Sequence, residues 1–490
     1  MHCAFTLSRP EPFSHLPPGC QFSVPEYRLI EYNGLTWCSF HCPVDAQFEL
    51  TQDDLRFVHE EIHQRIQECL EKNEILDLSG VVFRQRMDFS RLTFPATLFN
   101  ATQFLDGVDF TGAVFGGVVI FDGCQFQKSL SFERCDFRGV ISFNSAAFQG
   151  AANFRETIFR KLACFDHVYF RNSTDFTGAR FQGEASFRFS DVRSQSIQDN
   201  IVFERVQFLR KAVITGRQFH GDALFDSAQF LGPADFRNTC FKQACQFRNV
   251  VFKDQALFHC PEHNAYSIMG QADFSGTVFY SDVKFINRYF AQTAKFDNCT
   301  FHKAPEFHGS SIHQGTTFPP RKHFLDTSSP HARAAYRTLK LAMEQHRARQ
   351  EEAMFFALEQ ESLRKQQDTP RSIRWMSWLY KIGADYGESF VRPLGWIACV
   401  NAVFWAFYVL TVSWSVGEWP YQDSFRFAME QLVRPFSAWV PGGGMALRNY
   451  FVDGSSGFLL IQFAATFQAL VNLGLLALFI LAVRRRFKLD

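Results

Sequence analysis

The sequence predicts a repetitive β-solenoid joined to a helical region that ends in two membrane spans. Phenylalanine recurs from Phe99 to Phe187 in steps that alternate between five and six residues, so the true period is eleven. A small or aliphatic residue recurs two positions before most of these phenylalanines. Two uncharged segments, 394–414 and 457–483, lie further along the chain, and each is long enough to cross a bilayer.

The eleven-residue period excludes an ordinary helix or strand as its source. A helix buries residues three and four apart and a strand alternates at two, so steps of five and six fit neither. They fit a chain that turns a corner about every five residues and points one large residue inward from each side. Positions i and i−2 share a face of an extended segment, so each side also buries a small group.

The units DFTGAVFGGVVIF, NFRETIFRKLACF and DFRNTCFKQACQF resemble pentapeptide-repeat proteins, in the variant whose sides alternate between five and six residues. The resemblance implies a right-handed, four-sided parallel β-helix with phenylalanine ladders inside. Four such sides take 22 residues, so 83–324 would form about eleven coils and a rod roughly 50 Å long. The predicted fold class is mixed: this β-helix, an N-terminal cap, a long C-terminal helical segment and two transmembrane α-helices.

Two breaks interrupt the rhythm, from Phe187 to Phe203 and from Phe258 to Phe274. Each is 16 residues long and carries a Ser-Ile pair, and the two lie 71 residues apart. Loops that bulge from a corner explain them most simply. A pair of matched protrusions for a partner or a neighbouring subunit is the alternative.

Residues 1–80 are predicted to cap the N-terminal end of the solenoid. Within them, 51–73 place apolar residues along one helical face, with Thr51 as the N-cap. This amphipathic helix is expected to lie over the first coil, because an open solenoid end exposes sheet edge and apolar interior.

The thirteen cysteines do not point to a metal site or to a disulfide framework. Cys38, His41 and Cys42, with Cys20 upstream, are residue types that bind zinc, but their spacing is a poor match to known structural sites. No metal and no cofactor is therefore expected. Four other cysteines occupy small inward slots, where a thiol behaves as a small apolar group: Cys124, Cys135, Cys245 and Cys299. Reduced thiols in a cytoplasmic rod are the simplest account.

The predicted domains after the cap are the solenoid (81–326), a helical linker and juxtamembrane segment (327–392) and a two-span module (393–490). The linker reads as one long helix or a hairpin that begins at a Ser328 or Ser329 cap, and it either caps the rod or joins it to the membrane. Positive charge precedes the first span and follows the second. The positive-inside rule then places the rod and both termini in the cytoplasm, at the bacterial inner (plasma) membrane.

The segment 421–444, between the spans, begins as an amphipathic helix and continues as an irregular strip. This arrangement resembles the two-span pore module of potassium-channel-like proteins, although SAWVPGGG stands where their T-V-G-Y-G strip would be. Potassium selectivity is therefore not implied. The candidate residues of this re-entrant-like segment are Arg426, Glu430, Arg434, Ser437 and Trp439.

Polar residues inside the spans form a second candidate set, because such groups usually face a bundle interior or a water path. They are Asn401, Gln462, Thr466, Gln468 and Asn472. Hydrogen bonding between helices and pore lining both explain them. Two spans alone cannot enclose a polar path, so a homo-oligomer is expected, and the channel resemblance implies a tetramer.

The overall order also resembles a bacterial group of pentapeptide-repeat proteins with an ion-channel-like tail. The sequence favours an oligomeric pore whose rod is a sensor or assembly platform, with a lipid bilayer and a cytoplasmic protein on the rod as partners. A membrane-anchored interaction scaffold and a membrane-disrupting, defence-type effector are the alternatives. The span 83–324 holds 27 Lys and Arg against 22 Asp and Glu, a net of +5, which excludes mimicry of DNA and gives no reason to expect nucleic acid. No catalytic motif is present in the sequence, so no enzyme and no catalytic residue is expected.

Overall fold

A computed structural model describes most of the chain. The described residues are 3–7, 19–25, 28–44, 51–188, 200–216, 218–261, 267–435, 437, 447, 449–450 and 456–487. They belong to two compact units, Met1–Asp326 and Thr327–Asp490.

The first unit contains a parallel β-solenoid with four faces. A coil takes 22 residues, as in the pairing of Val114 with Asp136. Three faces carry ten strands each, so the solenoid has about ten turns, and the predicted β-helical fold is confirmed. The two breaks add five residues each without adding a turn, and the last turn pairs with the coil before it only through isolated bridges such as Lys295 with Thr317, so the count is lower than the eleven coils expected.

The faces are numbered here in the order in which the chain first reaches them. Face 1 comprises Leu76–Asp77, Thr97–Leu98, Val119–Ile120, Ile141–Ser142, Ala163–Cys164, Ala185–Ser186, Ala212–Val213, Ala234–Asp235, Ala256–Leu257 and Val283–Lys284. Face 2 comprises Val82–Phe83, Gln103–Phe104, Gln125–Phe126, Ala147–Phe148 and Tyr169–Phe170, then Gln218–Phe219, Cys240–Phe241, Ile268–Met269 and Tyr289–Phe290.

Faces 3 and 4, like face 1, are continuous ten-stranded sheets. Face 3 comprises Met87–Asp88, Val108–Asp109, Leu130–Ser131, Ala152–Asn153, Thr174–Asp175, Ile201–Val202, Ala223–Leu224, Cys245–Gln246, Ala272–Asp273 and Ala294–Lys295. Face 4 comprises Thr93–Phe94, Val114–Phe115, Asp136–Phe137, Ile158–Phe159, Arg180–Phe181, Gln207–Phe208, Gln229–Phe230, Val251–Phe252, Val278–Phe279 and Thr300–Phe301.

Phenylalanine side chains from successive coils stack inside the solenoid. Phe99 lies against Phe121 with ring centroids 4.4 Å apart and an interplanar angle of 5°. Neighbouring columns meet edge to face, as Phe154 and Phe165 do at 5.6 Å and 89°. Both geometries are favourable for aromatic rings. Since these rings are fully buried, each stabilises the coil by ~1.5–3 kcal/mol from burial alone.

The small inward slot has a polar use that the sequence analysis did not predict. Thr157, two residues before Phe159, donates from Oγ1 to the carbonyl oxygen of Phe132 at 2.6 Å. Cys124 Sγ makes the same bond to the carbonyl of Phe99 at 2.7 Å. The bond recurs between Cys135 and Phe110, Thr239 and Ile214, and Cys299 and Phe274. The slot thus supplies a second donor to a corner carbonyl that already accepts from the backbone, as the Phe132 carbonyl does from the N–H of Cys135 at 3.1 Å.

The predicted burial of the four slot cysteines is confirmed. Burial raises the pKa of the Cys245 thiol to about 12, and it raises the pKa values of Cys124, Cys135 and Cys299 as well. The thiolate is the reactive form, so these cysteines are chemically inert parts of the core.

Arg288 occupies the slot before Phe290 and is fully buried. Its guanidinium donates to the carbonyl oxygen of Thr239 at 2.5 Å and to that of Phe236 at 3.1 Å, and it also bonds the carbonyl of Phe258. Burial lowers the pKa of this guanidinium. Arg288 thus donates hydrogen bonds to three backbone carbonyls, whereas a threonine in the same slot of another coil donates to one.

Many of the corners require a left-handed residue two positions after a phenylalanine. Gly112 has φ 72° and Asn249 has φ 56° there, and both residue types adopt this conformation more readily than most. A side chain at Gly276 would bring its Cβ to 2.3 Å from Asn249 Oδ1, so close stacking of coils adds to the demand for glycine.

Both breaks fall on face 2. The first, where the strand between Tyr169–Phe170 and Gln218–Phe219 is expected, includes residues 189–199, which lie outside the described part of the chain. In the second, Phe241 pairs with Met269, 28 residues on instead of 22, and residues 262–266 are not described. The interruptions are therefore on one side of the solenoid, about three coils apart, or roughly 14 Å.

The N-terminal segment packs on the first coil. A hairpin of β1 (Leu29–Tyr32) and β2 (Leu35–Cys38) precedes helix α1 (Gln52–Lys72). Thr51 caps α1 in a reciprocal capping box with Asp54, which confirms the predicted N-cap. The carbonyl oxygen of Phe40 accepts a hydrogen bond from the backbone N–H of Val82 at 2.8 Å.

The second unit is helical. Its helices are α2 (Ala332–Gln345), α3 (Arg349–Lys365), α4 (Arg371–Ala384), α5 (Val391–Val416), α6 (Tyr421–Val433) and α7 (Ser456–Phe487), and short 3-10 turns occur at Asp385–Gly387 and, in the first unit, at Arg321–His323. Of the two forms predicted for the linker, the hairpin is the one observed, with α2 packed on α3. The predicted serine cap is wrong, because α2 begins after His331 without a side-chain cap bond.

We expect Phe154→Ala to destabilise the solenoid by about 3–5 kcal/mol, because its ring is held between Phe132 at 5.2 Å and Phe176 at 4.7 Å and would leave a cavity. Leu162→Ala, at a side chain that is 42% exposed, is the matched control and should change stability by less than about 0.5 kcal/mol. Chemical unfolding followed by circular dichroism measures both. Equal losses in the two variants would contradict the stacked core.

We expect Thr157→Val to cost about 0.5–1.5 kcal/mol, because the near-isosteric side chain keeps the shape of the slot but removes one of the two hydrogen bonds to the Phe132 carbonyl, the other coming from the N–H of Cys135. Thr157→Ser keeps the hydroxyl and should lose less, although it is the smaller side chain. The same unfolding measurement ranks the two. A valine variant as stable as the native chain would show that the carbonyl does not depend on the threonine.

Candidate functional site

Four polar side chains from α5 and α7 meet between the two long apolar helices. Asn401 and Tyr408 lie on α5, two turns apart, and Gln468 and Asn472 lie on α7, one turn apart. All four are buried, with Tyr408 and Gln468 fully inaccessible. Helical spacing places the members of each pair on one face, which is turned toward the partner helix. Tyr408 was not predicted as a member of the site.

The four side chains form a connected hydrogen-bond network. Tyr408 donates its hydroxyl to Gln468 Oε1 at 2.7 Å. Gln468 Nε2 donates to Asn401 Oδ1 at 2.8 Å and to the carbonyl oxygen of Ala428 at 3.0 Å. Asn401 Nδ2 donates to Asn472 Oδ1 at 3.1 Å and to the carbonyl oxygen of Ile397 at 2.7 Å.

The network joins three helices within one copy of the chain. Because Ala428 lies on α6, the amide of Gln468 ties the intervening helix to both long helices. Apolar side chains pack around it, among them Val412, Phe427 and Ile461. The amides are neutral, and their hydrogen-bonding groups are directed at one another. The arrangement can fix the packing of α5, α6 and α7, and it presents no charge to an ion.

The remaining polar residues of the second apolar helix lie nearer its surface. Gln462 and Thr466 are half-buried, and Thr466 Oγ1 donates to the carbonyl oxygen of Gln462 at 2.8 Å, within the same helix. The structure therefore separates the five predicted polar residues into a buried set of three (Asn401, Gln468 and Asn472) and this half-buried pair.

The charged residues predicted for the re-entrant-like segment lie mostly at its surface. Arg426 is exposed and Glu430 is half-buried on α6, whereas Arg434 follows the last helical residue and is exposed. Ser437 is buried, and its hydroxyl accepts from Gln431 Nε2 at 2.9 Å. Trp439 lies outside the described residues.

Helix α6 buries one face against the two long helices. Phe427 and Ala428 point into the three-helix core together with Ser424 and Gln431. Phe425, Met429 and Val433 are exposed instead. The helix therefore presents apolar side chains outward, next to the outward surfaces of α5 and α7.

Those outward surfaces are strongly apolar. Within the described part of the chain, two helices are long and apolar enough to cross a membrane, Val391–Val416 and Ser456–Arg484, and only 28% and 22% of their most apolar windows are buried. Their exposed side chains include Trp414 at 94%, Phe463 at 65% and Phe467 at 62%. A core helix of a water-soluble protein would be mostly buried, so this exposure favours lipid contact.

Helix α4 carries a second exposed apolar and aromatic surface. Trp375, Met376, Trp378 and Leu379 are exposed. On another side, Lys381 Nζ forms an ion pair with Glu361 of α3 at 2.7 Å. Exposed tryptophans beside basic residues are typical of helices that lie at a membrane interface.

The solenoid presents charged side chains of both signs on its outer surface. Arg134 pairs with Glu156 at 2.8 Å, and Arg160 pairs with Asp136 at 2.6 Å, in each case across one coil. These exposed pairs add little stability. They give the rod a mixed surface, which fits the small net charge of the repeat region.

The structure also gathers a ligand set of which the sequence analysis named three members, Cys20, Cys38 and His41, but missed Cys3. The side chains of Cys3, Cys20, Cys38 and His41 converge, while Cys42, which the sequence analysis included, lies outside the cluster with its thiol toward the carbonyl of Pro43. Spacing within one stretch was the wrong test, because the ligands come from three separated segments. The pair Cys38–His41 at the end of a hairpin was the available signal.

Comparison with known proteins identifies the repeats. A family model described as Pentapeptide repeats matches nine copies, at residues 121–163 and 203–259. No curated protein and no solved structure matches the chain significantly.

We expect Gln468→Leu to destabilise the three-helix module by about 1–2 kcal/mol, because the Tyr408 hydroxyl loses its acceptor and Asn401 Oδ1 loses a donor. Phe467→Leu, at the adjacent exposed position, should be close to neutral. Thermal aggregation of detergent-solubilised protein, followed by size-exclusion chromatography, compares them. If Gln468→Leu were as stable as the native protein, the network would not be needed to hold the three helices together.

Proposed function

We propose that this pentapeptide-repeat protein is a membrane-anchored binding platform, in which the C-terminal helices hold the solenoid at a bilayer. The observation that carries the proposal is the outward apolar surface of α5 and α7. Two helices of spanning length expose large side chains along their length while burying their polar groups against each other. A bilayer satisfies such a surface, and water does not.

The proposed orientation follows from charge. Basic residues precede the first span at Arg371 and Arg374, and Arg484, Arg485 and Arg486 follow the second. Positive residues stay on the cytoplasmic side, so the solenoid and both ends of the chain belong in the cytoplasm of a bacterial cell. The exposed tryptophans of α4 then lie at the inner surface of the membrane.

The proposed role of the solenoid is to bind a protein. Its interior is filled by phenylalanine and offers no room for a ligand, so its outer faces are the available surface. Mixed charge on those faces suits a protein partner better than a polyanion. The two interruptions on face 2 mark the side on which a partner or a second copy is most readily recognised.

A pore is the second candidate, and one observation favours it. Helix α6 lies between two spans and packs on both, as the helix of a re-entrant segment would. A pore would need several copies, and the channel resemblance suggests four. Against it, Asn401, Gln468 and Asn472 are committed to hydrogen bonds within one copy. The exposed residues of α7 are largely apolar in its described part.

The test places the purified full-length chain in liposomes and measures ion flux together with subunit number. For the platform, we expect no flux above that of empty liposomes, from the native chain and from Gln468→Leu/Asn472→Leu alike. Flux from the native chain that the double variant alters would overturn the platform and support a pore. Cross-linking in the same liposomes gives the subunit number for either outcome.

Membrane attachment is tested separately, by alkaline extraction of membranes from cells that express the chain. We expect the native protein to stay with the membranes. Leu470→Lys/Leu473→Lys, on the exposed apolar side of α7, should release it or lower its level, because each charge costs roughly 2.5–3.5 kcal/mol in the bilayer. Gln422→Lys, at an exposed position on α6, is the control. A native protein extracted as a soluble species would exclude the anchor.

A further inference from the structure

Four metal-binding side chains from three separated segments meet beside the first coil of the solenoid. Cys3 lies in the N-terminal segment, Cys20 follows Gly19, and Cys38 and His41 lie at the end of the β1–β2 hairpin. The three sulfur atoms and the histidine nitrogen lie within 4.8 Å of one another. Cys38 and His41 are buried, and Cys3 and Cys20 are half-buried.

We propose that these four residues form a structural zinc site that fastens the N-terminal segment to the solenoid. The separations already approach those of a tetrahedral site. Cys20 Sγ lies 3.7 Å from Cys38 Sγ, and His41 Nδ1 lies 3.2 Å from Cys38 Sγ and 3.9 Å from Cys3 Sγ. Zinc with sulfur ligands at about 2.3 Å and nitrogen at about 2.0 Å would separate the ligand atoms by roughly 3.5–3.8 Å.

The surroundings prepare the histidine for metal binding. His41 Nε2 lies 3.2 Å from the carbonyl oxygen of Ser79, which can only accept, so the proton belongs on Nε2 and the lone pair of Nδ1 faces the sulfurs. The ring of Phe5 stacks on the imidazole at 4.0 Å and 8°, which fixes the plane of the ligand. Second contacts of this kind are the usual companions of a zinc-bound histidine.

Backbone donors point at two of the sulfurs. The N–H of Cys38 donates to Cys3 Sγ at 3.4 Å, and the N–H of Phe22 donates to Cys20 Sγ at 3.4 Å. Such bonds stabilise the thiolate form that a metal requires. A cleft lined by Cys3, Cys20 and Cys38 gives an ion access to the site from the surface.

The ligand set selects the ion. Three thiolates and an imidazole suit zinc and exclude magnesium and calcium, which prefer oxygen. Ligand atoms this close surround one ion and leave no space for a cluster of several. A disulfide between Cys20 and Cys38 is the chemical alternative, but their sulfurs are well beyond the bonded distance of about 2.05 Å.

The proposed ion would act on the cap. The hairpin and turn that carry Cys38 and His41 also hold Phe40, whose carbonyl bonds Val82 of the first coil, and Cys42, whose carbonyl accepts from Arg84 at 3.0 Å. The described part of the hairpin region contributes a small apolar cluster around Ile30 and Cys42. Zinc binding would supply part of its folding energy, as it does in small zinc domains.

The test measures zinc in the full-length protein, purified without a histidine tag from cells grown with zinc, by elemental mass spectrometry. We expect one zinc ion per chain, and its loss in Cys20→Ser and Cys38→Ser. Cys42→Ser is the matched control, because Cys42 is buried close by but lies outside the cluster, and it should keep the zinc. These results would support the site whether or not the protein binds a membrane or a partner.

A second measurement does not depend on how the variants fold. Replacing zinc with Co²⁺ in the native chain should give thiolate-to-cobalt charge-transfer absorption and the intense visible bands of a tetrahedral ion. A native chain without zinc that also fails to bind added Zn²⁺ or Co²⁺ would overturn the proposal. So would a Cys20–Cys38 disulfide in protein purified under reducing conditions, or zinc retained by both serine variants.

Discussion

The solenoid depends on the match between two distances along its axis: the spacing of the backbone in adjacent coils and the spacing of stacked phenylalanine rings. Parallel strands in adjacent coils are about 4.8 Å apart, and the stacked phenylalanines have centroids 4.4–5.3 Å apart. One residue type can therefore fill every layer of a column without strain. The five- and six-residue sides, the small residue beside each ring and the left-handed corners all preserve that match.

The buried backbone carbonyls need hydrogen-bond donors, and in both units of the chain polar side chains supply some of them. Each buried carbonyl needs a donor, because an unsatisfied polar group in an apolar interior is costly. Backbone N–H groups meet much of this demand, Thr157 and Cys124 add a second donor from the inward slot of the solenoid, and Arg288 provides several beside the second break. Among the apolar helices, Gln468 does the same for Ala428. The polar residues that stand out in the sequence are thus largely explained by satisfaction of buried backbone.

The sequence was sufficient for the periodic part of the fold and insufficient wherever distant segments meet. The spacing of phenylalanine predicts faces and coils, because each coil contacts only its neighbours. Helical spacing placed Gln468 and Asn472 on one face, yet could not say that Asn401 of the same copy would meet them. The partners of Arg288 depend on a break of irregular length, and the contact of Cys3 with Cys38 depends on how the N-terminal segment folds back. Neither leaves a periodic signal.

The two interruptions of face 2 have a consequence for how such a chain can change over evolutionary time. Extra residues entered at two places, yet the pairing of faces 1, 3 and 4 continued across both coils with their columns intact. Errors in register are absorbed at one corner and are not passed on. Gain or loss of a whole 22-residue unit would keep the remaining coils in register, since each coil contacts only its neighbours. The number of coils, and with it the length of the solenoid, can then change by selection on length itself.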